Sequence, residues 1–349
     1  RDAIYQDKTQ PAIEALAAVG LTPLTLAPKE GLAIMNGTAV MTGLACLAWK
    51  RAEYLTRLCS RITALASIAL RGNKGHFDER LFAAKPHAGQ NESAAWIYSD
   101  LVDEKSETVR IQDRYSIRCA PHVIGVTRDA LTWMRRDIEN ELNSANDNPL
   151  VDGDAELLLH GGHFYGGHIA FAMDSLKTAV ANLADLMDRQ LALLVDSKYN
   201  HGLPQNLSGS TGARAAINHG FKAVQIGTSA WTAEALKLTM PASVFSRSTE
   251  CHNQDKVSMG TIAARDCLRV LELTEQVAAA LTMAGVQGVT LRLAADDGVL
   301  TELQPEVEGF IKQINKHSAF LDEDRPLDAE LRTMTDLIKN STWALYGST

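Results

Sequence analysis

Apolar residues recur at helical spacing along most of the chain. In the segment 168–196 they are separated by three, four or seven residues, with charged residues between them: Ile169, Met173, Leu176, Val180, Leu183, Met187 and Leu194. Since residues three and four apart share one face of a helix, the segment predicts one long amphipathic helix. At about 1.5 Å per residue it would be roughly 40 Å long, a length typical of helix bundles and subunit interfaces.

Similar patterns predict further helices over 38–71, 128–141, 213–238 and 258–283, and a closing helix within RPLDAELRTMTDLIKNSTW. The alternation typical of strands is scarce, so the predicted fold class is mainly α, with long helices in a central bundle. Two segments rich in Asn, Gly and Pro, NSANDNPLVDGD and HGLPQNLSGSTG, are expected to be irregular turns between helices.

Composition narrows the classes of partner. The 349 residues are 46% hydrophobic and 22% charged, which is ordinary for a globular protein with a large core. The net charge of -8 and the scattered basic residues argue against nucleic acid or an anionic membrane surface as a partner. We also expect no membrane span, because charged residues interrupt every long apolar run.

The cysteines indicate a cellular compartment. All five lie outside any CxxC pair, so we expect reduced thiols that mostly serve as small packing groups in a cytoplasmic protein. The opening RDAIYQDKTQ is charged and polar, unlike the apolar segment of a secretory signal.

The segment QDRYSIRCAP sets Tyr115 and Arg118 three residues apart. On one helical turn they would face the same way and offer a phenol and a planar cation to one ligand. Arginine holds a carboxylate by two parallel charge-assisted hydrogen bonds, as an amino or keto acid substrate would require. The alternative is a surface arginine in an ion pair beside a packed tyrosine.

Three other polar segments are candidates for a site. NDNPL could aim amides at a ligand, although Asx-turn chemistry before proline explains it as well. HGGHFYGGH holds three histidines in nine residues, yet no second ligand cluster accompanies them, so its glycines indicate a tight backbone approach rather than a metal site. In ECHNQD, Glu250 and Gln254 would be one turn apart if the segment were helical; a polar helix start capped by Asn253 or Asp255 is the alternative.

Several common motifs are missing from the sequence. GSTG lacks the setting of a dinucleotide loop, no Walker lysine follows a glycine-rich turn, and GxSxG and HExxH do not occur. We therefore expect neither a nucleotide nor a metal cofactor.

Six segments in this order, KEGLAIMNGTAV, QDRYSIRCAP, NDNPL, HGGHFYGG, GLPQNLSG and HNQDKVSMG, closely resemble the aromatic amino acid ammonia-lyase family, which includes the related aminomutases. The resemblance implies a homotetramer of long helices whose active sites draw residues from several subunits. It implies a carbon–nitrogen lyase that eliminates ammonia from an aromatic L-amino acid. The family uses a built-in electrophile, 4-methylideneimidazol-5-one (MIO), made from an Ala-Ser-Gly tripeptide. This agrees with the chemistry, because the benzylic β-proton is too weakly acidic for an ordinary side-chain base.

The resemblance also implies eight site residues. Asn36 and Gln112 would hydrogen-bond near the MIO group or the substrate. Tyr115 would assist proton movement beside the electrophile, and Glu250 would lie near the amine.

The other four would bind substrate. Arg118 would hold the carboxylate with Asn146 close to it, and Phe164 would pack near the MIO group or the ring. Gln254 would face the aromatic end. Histidine lyases typically carry Glu at this position, whereas a neutral amide suits an uncharged ring, so tyrosine or phenylalanine is the predicted substrate and histidine the alternative.

No Ala-Ser-Gly occurs in the sequence, and in the family that tripeptide precedes the KEGL segment. The 349 residues are therefore expected to be the C-terminal part of a single lyase domain, without its MIO-bearing part. On this expectation the chain alone would not be catalytic, although the parent protein would be an enzyme. A 2,3-aminomutase and a non-catalytic helical assembly protein descended from the lyases are the remaining alternatives.

Overall fold

The computed structural model describes residues 1–102, 111–295, 300 and 302–347. The chain divides into two compact units, one of Arg1–Ala39 with Ala145–Tyr165 and one of Val40–Ser144 with Gly166–Thr349. Helices dominate the described residues, which confirms the predicted mainly α class.

The first unit combines two short hairpins with two short helices. Strand β1 (Asp2–Tyr5) pairs antiparallel with β2 (Lys8–Pro11), and β3 (Leu150–Asp152) pairs antiparallel with β4 (Leu157–Leu159). The helices are α1 (Ala12–Ala18) and α2 (Glu30–Asn36).

The hairpin of β3 and β4 corrects one prediction. The segment NSANDNPLVDGD was expected to be irregular throughout, but its end forms β3. The Asp152 carboxylate accepts hydrogen bonds from the backbone N–H groups of Asp154 and Ala155, at 3.1 and 3.0 Å, and so closes the turn. Strands of three residues are too short to reveal themselves by alternation.

The second unit contains nearly all of the described helical bundle. Its helices are α3 (Ala39–Ala69), α4 (Glu79–Ala83), α5 (Ala88–Asp100), α6 (Tyr115–Arg118), α7 (Ala120–Leu142), α8 (Gly167–Val195), α9 (Lys222–Lys237), α10 (Gly260–Ala294), α11 (Pro305–Ile314) and α12 (Asp328–Lys339).

The helices predicted from apolar spacing are confirmed at α3, α8 and α12, and all seven apolar residues used to predict α8 are fully buried. Helix α7 starts earlier than predicted, with Pro121 in its first turn, where a missing N–H costs nothing. Helix α10 runs further than predicted, to Ala294. Glycines in its last third interrupt the apolar spacing on which the prediction relied. An added Cβ at Gly288 would lie 3.0 Å from the Cβ of Ala69, so this glycine allows α10 to approach α3 closely.

The continuous helix predicted over 213–238 is wrong. The chain forms a 3₁₀ segment at Gly212–Ile217, and α9 begins only at Lys222. The Asp324 carboxylate accepts hydrogen bonds from the N–H groups of His219 and Gly220, at 2.8 and 2.9 Å. Gly220 has a left-handed φ of 53°, which ends any helix. Tertiary contacts thus override the local pattern.

An ion pair crosses the core of this unit. The guanidinium of Arg51 on α3 donates to both carboxylate oxygens of Glu275 on α10, at 2.8 and 2.6 Å. Burial raises the pKa of Glu275, while the hydrogen bonds from Arg51 act against that shift. Because both groups are paired, the charges sit inside the bundle without an unsatisfied partner.

The cysteines behave largely as predicted. All five are free thiols. Cys59 and Cys267 are fully buried, and burial raises the pKa of each to about 12, which makes them inert packing groups. Cys251 is exposed.

Two stretches of the described chain are apolar and long enough to cross a membrane by length and composition alone, Glu30–Ala69 and Gly260–Ala294. The most apolar window of the second is 78% buried inside the chain, as expected of a core helix. The first is interrupted at Gly37, where the backbone is extended between α2 and α3.

Helices α5 and α7 cross at two glycines. An added Cβ at Gly125 would lie 2.4 Å from the backbone nitrogen of Gln90, and one at Gly89 would lie 2.4 Å from the carbonyl oxygen of Gly125. The N–H of Gly89 also donates to Oδ1 of Asp129, at 2.7 Å. Since α6 leads directly into α7, this crossing helps to fix the position of α6.

Candidate active site

Tyr115 and Arg118 begin and end α6. The guanidinium carbon of Arg118 lies 4.7 Å from the centre of the Tyr115 ring, which confirms that the two side chains share one face. The Tyr115 side chain is 73% exposed, so its phenol is available to a ligand.

Arg118 is held at one nitrogen. Its Nε donates to the carbonyl oxygen of Asp113 at 2.9 Å, and no acidic side chain in the described part of the chain pairs with it. The alternative, a surface ion pair of Arg118 with an acidic side chain, is therefore not found among the described residues. Among the residues that the structure describes, neither terminal nitrogen has a hydrogen-bond partner, and a guanidinium binds a carboxylate through two parallel hydrogen bonds.

The short helix α6 is anchored to the core by Gln190. This side chain is fully buried on α8, and its Nε2 donates to the carbonyl oxygen of Ser116 at 2.8 Å and to Oγ1 of Thr63 at 3.0 Å. A helix of one turn supplies few hydrogen bonds of its own, so this contact stabilises its position. Gln112 is exposed in the bend that precedes α6.

The segment around Glu250 and Gln254 is a tight turn and not the helix that would set these two residues one turn apart. Thr249 and Gln254 form an antiparallel bridge, with N–H to O distances of 2.9 and 3.2 Å. Glu250, Cys251 and His252 have left-handed φ values of 49°, 52° and 68°. Such backbone is costly for non-glycine residues and is compensated here by the bridge.

Side chains reinforce this turn. Asn253 Nδ2 donates to Glu250 Oε2 at 3.1 Å, and Thr249 Oγ1 donates to Gln254 Oε1 at 3.2 Å. The alternative of a helix start capped by Asn253 or Asp255 is also wrong, because α10 begins at Gly260 without a side-chain cap from either residue.

The backbone that leads into this turn is held by a buried side chain of the core. The carboxylate of Asp174 on α8 accepts from the N–H groups of Ala242 and Ser243, at 3.0 and 2.9 Å. Burial acts to raise the pKa of Asp174, but hydrogen bonds from Lys177, Ser243 and Ala242 outweigh it and lower that pKa. Farther along, the N–H of Val257 donates to the Ser246 hydroxyl oxygen at 3.0 Å and closes the loop.

In the first unit, the structure brings the Asn36 and Asn146 segments together. Asn36 is the last residue of α2, and an added Cβ on the next residue, Gly37, would lie 3.1 Å from the carbonyl oxygen of Asn146. The Lys29 ammonium hydrogen-bonds the Asp147 carboxylate and lowers its pKa. Sequence reasoning missed this pair, because neither residue stands out in the pattern.

The NDNPL and HGGHFYGGH segments also meet in this unit. The N–H of Gly161 donates to Oδ1 of Asn148 at 2.8 Å. Phe164 is 40% exposed in the loop that leads to α8. The described residues contain no cluster of three His, Cys, Asp or Glu side chains that could hold a metal ion.

The predicted site residues therefore belong to two local groups. The first unit carries Asn36, Asn146 and Phe164, and the second carries Gln112, Tyr115, Arg118, Glu250 and Gln254. Within the second unit, no described hydrogen bond joins α6 to the turn at 249–254.

The chain is similar to proteins of one known family. The family described as aromatic amino acid lyase matches residues 1–316. A histidine ammonia-lyase from Caenorhabditis elegans is 36% identical over 345 residues, which cover 96% of this chain and 49% of that protein. A tyrosine ammonia-lyase from Cereibacter sphaeroides is 36% identical over 349 residues, covering 94% and 65%.

Solved structures agree. A tyrosine aminomutase from Streptomyces globisporus superimposes with a TM-score of 0.87 at 31% identity, covering 97% of this chain and 67% of that one. A histidine ammonia-lyase from Trypanosoma cruzi gives a TM-score of 0.86 at 30% identity, covering 96% and 63%. The chain belongs to the aromatic amino acid lyase family. It spans 49% to 65% of the length of the two curated relatives named here.

Proposed function

We propose that this chain forms part of an aromatic amino acid ammonia-lyase that eliminates ammonia from an L-amino acid to release an arylacrylate. The observation that carries the proposal is the pair on α6, an exposed phenol beside a guanidinium whose two terminal nitrogens contact no acceptor in the described part of the chain. Membership of the family supplies the reaction class.

Each group on α6 has a task in this reaction. The Arg118 guanidinium binds the substrate carboxylate through its terminal nitrogens, because Nε is already engaged by Asp113. This contact orients the Cα–Cβ bond relative to the Tyr115 hydroxyl three residues away. The hydroxyl is then placed to accept or return a proton at the substrate amine.

The electrophile of the family cannot be made from these residues, since the sequence contains no Ala-Ser-Gly. When bound, an MIO group supplies the electron sink that loss of the β-proton and ammonia requires. We propose that a segment outside these 349 residues supplies it, and no role in forming it is assigned to this chain.

For the substrate we propose L-tyrosine or L-phenylalanine, on the strength of Gln254. Its amide is neutral and is held at the turn by the Thr249 hydroxyl, so it presents no charge to an uncharged ring. The names of relatives support histidine at least as well, because histidine lyases appear at the same identity as the tyrosine lyase. Histidine is therefore the direct competitor in the test below.

We further propose a homotetramer. Large apolar side chains stand on outward faces of three long helices in the second unit, with exposed fractions of 57% for Leu47, 63% for Phe171 and 60% for Ile226. Exposure of such residues on several helices favours burial against further copies of the chain.

A product assay tests the proposed function. The full-length protein, which carries these 349 residues together with the segment proposed to supply the MIO group, is incubated with equal amounts of L-tyrosine, L-phenylalanine and L-histidine, and the products are identified by mass spectrometry. Release of p-coumarate or cinnamate supports the proposal, whereas dominant urocanate replaces the substrate with histidine. A β-amino acid product would identify an aminomutase. Solved structures of a tyrosine aminomutase and a phenylalanine aminomutase are similar to this chain. Absence of any product contradicts catalysis and favours a helical assembly protein.

A further inference from the structure

Asp113, which precedes α6, is held at three of its groups. Its carbonyl oxygen accepts from Arg118 Nε at 2.9 Å, its Oδ2 accepts from the N–H of Asn73 at 2.7 Å, and its N–H donates to Nε2 of His76 at 3.0 Å. Two of these contacts come from the segment that follows α3, which is distant in sequence. The residue whose carbonyl fixes Arg118 is thus itself fixed from outside α6, at its N–H and at its side chain.

We propose that His76 is a positioning residue for substrate binding. Through the backbone of Asp113, whose N–H it accepts and whose carbonyl contacts Arg118, it holds the guanidinium of Arg118 in the orientation that receives the substrate carboxylate. The inference rests on the proposed function, because it assumes that Arg118 binds that carboxylate.

The chemistry of the contact defines the state of the ring. A histidine nitrogen accepts a hydrogen bond only when it carries no proton, so Nε2 is the bare nitrogen and the ring proton resides on Nδ1. An amide oxygen is the one uncharged side-chain group of similar reach that can replace it as an acceptor. Glutamine is therefore the conservative substitution, and leucine removes the acceptor.

The His76 side chain is well placed for this task. It is 16% exposed and belongs to the 3₁₀ segment Lys74–Phe77, which is anchored by the fully buried ring of Phe77. The approach to Asp113 is tight, since an added Cβ at Gly72 would lie 3.2 Å from Asp113 Oδ2. A rigid support of this kind limits movement of Asp113, whose carbonyl Arg118 contacts.

Loss of the hydrogen bond to His76 should weaken only the binding of the ligand's carboxylate. If the Asp113 backbone moves, its carbonyl and the Arg118 Nε that contacts it move as well, and a displacement of about 1 Å is enough to weaken a two-bond contact with a carboxylate. The aromatic part of the ligand is bound elsewhere and should not respond. This difference separates positioning from general damage to the fold.

The experiment compares inhibition by two ligands of the purified protein. One is the arylacrylate product of the assay above, and the other is the matching vinylarene, which lacks the carboxylate. The variants are His76→Leu, His76→Gln and Arg118→Ala, with His87→Leu as a matched control because His87 is exposed and its side chain does not cap α5. Circular dichroism and melting temperature verify folding, and His76→Ala replaces His76→Leu if the latter does not fold.

We expect His76→Leu to raise the inhibition constant of the arylacrylate about 3- to 10-fold, the effect of one lost hydrogen bond, and to raise KM similarly. The vinylarene constant should stay within about twofold, His76→Gln should restore arylacrylate binding, and His87→Leu should change neither. The inference is overturned if His76→Leu leaves both constants unchanged or raises both equally while Arg118→Ala abolishes the preference for a carboxylate. If Arg118→Ala itself leaves that preference intact, the proposed role of Arg118 fails, and the inference fails with it.

Discussion

The guanidinium of Arg118 lies over the ring of Tyr115, with its central carbon 4.7 Å from the ring centre. A cation over an exposed aromatic face contributes about 0.5 to 1 kcal/mol. The contact is too weak to hold α6 in place, and it needs only the ring. It follows that the hydroxyl of Tyr115 can be removed without disturbing the pair, which permits a clean test of its chemistry.

Tyr115→Phe should lower kcat/KM of the lyase reaction by about 10²- to 10⁴-fold, the usual contribution of a positioned proton-transfer group. The melting temperature should not change, because the ring and its contact with Arg118 remain. Tyr199→Phe is the matched control, since the ring of Tyr199 lies 4.2 Å from the guanidinium carbon of Arg114. Full activity of the Tyr115 variant would remove the hydroxyl from the mechanism.

Arg118→Lys should raise KM about 10- to 100-fold, because lysine cannot reproduce two parallel bonds to a carboxylate while also contacting the Asp113 carbonyl. Steady-state kinetics with the best substrate measure the effect. The equivalent change at Arg114 keeps the charge in the same segment and should leave KM nearly unchanged. Similar KM values for both variants would indicate that only the local charge matters.

Gln254→Glu should shift the product ratio toward urocanate when tyrosine, phenylalanine and histidine compete. The carboxylate can still accept from the Thr249 hydroxyl and adds a partner for an imidazole N–H. Cys251→Asp introduces the same charge at an exposed residue of this turn and serves as the control. An unchanged ratio in the Gln254 variant would show that selectivity resides elsewhere.

Asp100 should make stability depend on pH. Burial raises the pKa of Asp100 to about 6, although Nε of Arg61 lies 2.9 Å from its carboxylate and the Tyr346 hydroxyl hydrogen-bonds it. A folded-state pKa above the unfolded value gives a contribution that is complete below about pH 4 and is lost as the pH rises through 6. Relative to Asp100→Asn, the wild-type protein should therefore lose on the order of 2 to 3 kcal/mol of unfolding free energy between pH 4 and 7.

Chemical denaturation across this range measures the difference between the two proteins. Asp78→Asn is the control, because hydrogen bonds from Arg80 lower the pKa of Asp78 to about 2, outside the range tested. A wild-type protein whose stability relative to Asp100→Asn is constant from pH 4 to 7 would contradict the raised pKa.

The proposed tetramer should make stability depend on concentration. Dilution favours dissociation and uncovers the outward apolar residues of the long helices, so the melting temperature should fall as the protein is diluted below micromolar concentration. Light scattering and thermal unfolding over a dilution series provide the measurement. A monomer at micromolar concentration with an unchanged melting temperature would rule out this assembly.

The fold was predictable where burial alone decides the structure. The apolar residues of α8 recur at helical spacing, and every one of the seven used to predict the helix is buried. The break before α9 was not predictable, because it depends on Asp324, which lies 104 residues beyond Gly220. The spacing of apolar residues near Gly220 does not indicate a contact with a residue so distant in sequence.

The candidate site divides in the same way. The pair of Tyr115 and Arg118 follows from helical spacing over one turn. The turn at 249–254 does not, since its left-handed residues include no glycine and its closing bridge leaves no pattern in the sequence. His76 could not be found from the sequence either, because it meets Asp113 only through the packing of two segments 37 residues apart.

The crossing of α5 and α7 at Gly89 and Gly125 restricts which substitutions the protein tolerates. Any side chain at position 125 would press on the Gln90 backbone, so even alanine would push the two helices apart. The displacement would pass along α7 to its first residue, Ala120, which is separated from α6 by Cys119 alone. In laboratory evolution, variation at Gly89 and Gly125 should therefore be as strongly restricted as at the residues proposed to bind substrate, although these glycines offer no functional group for chemistry.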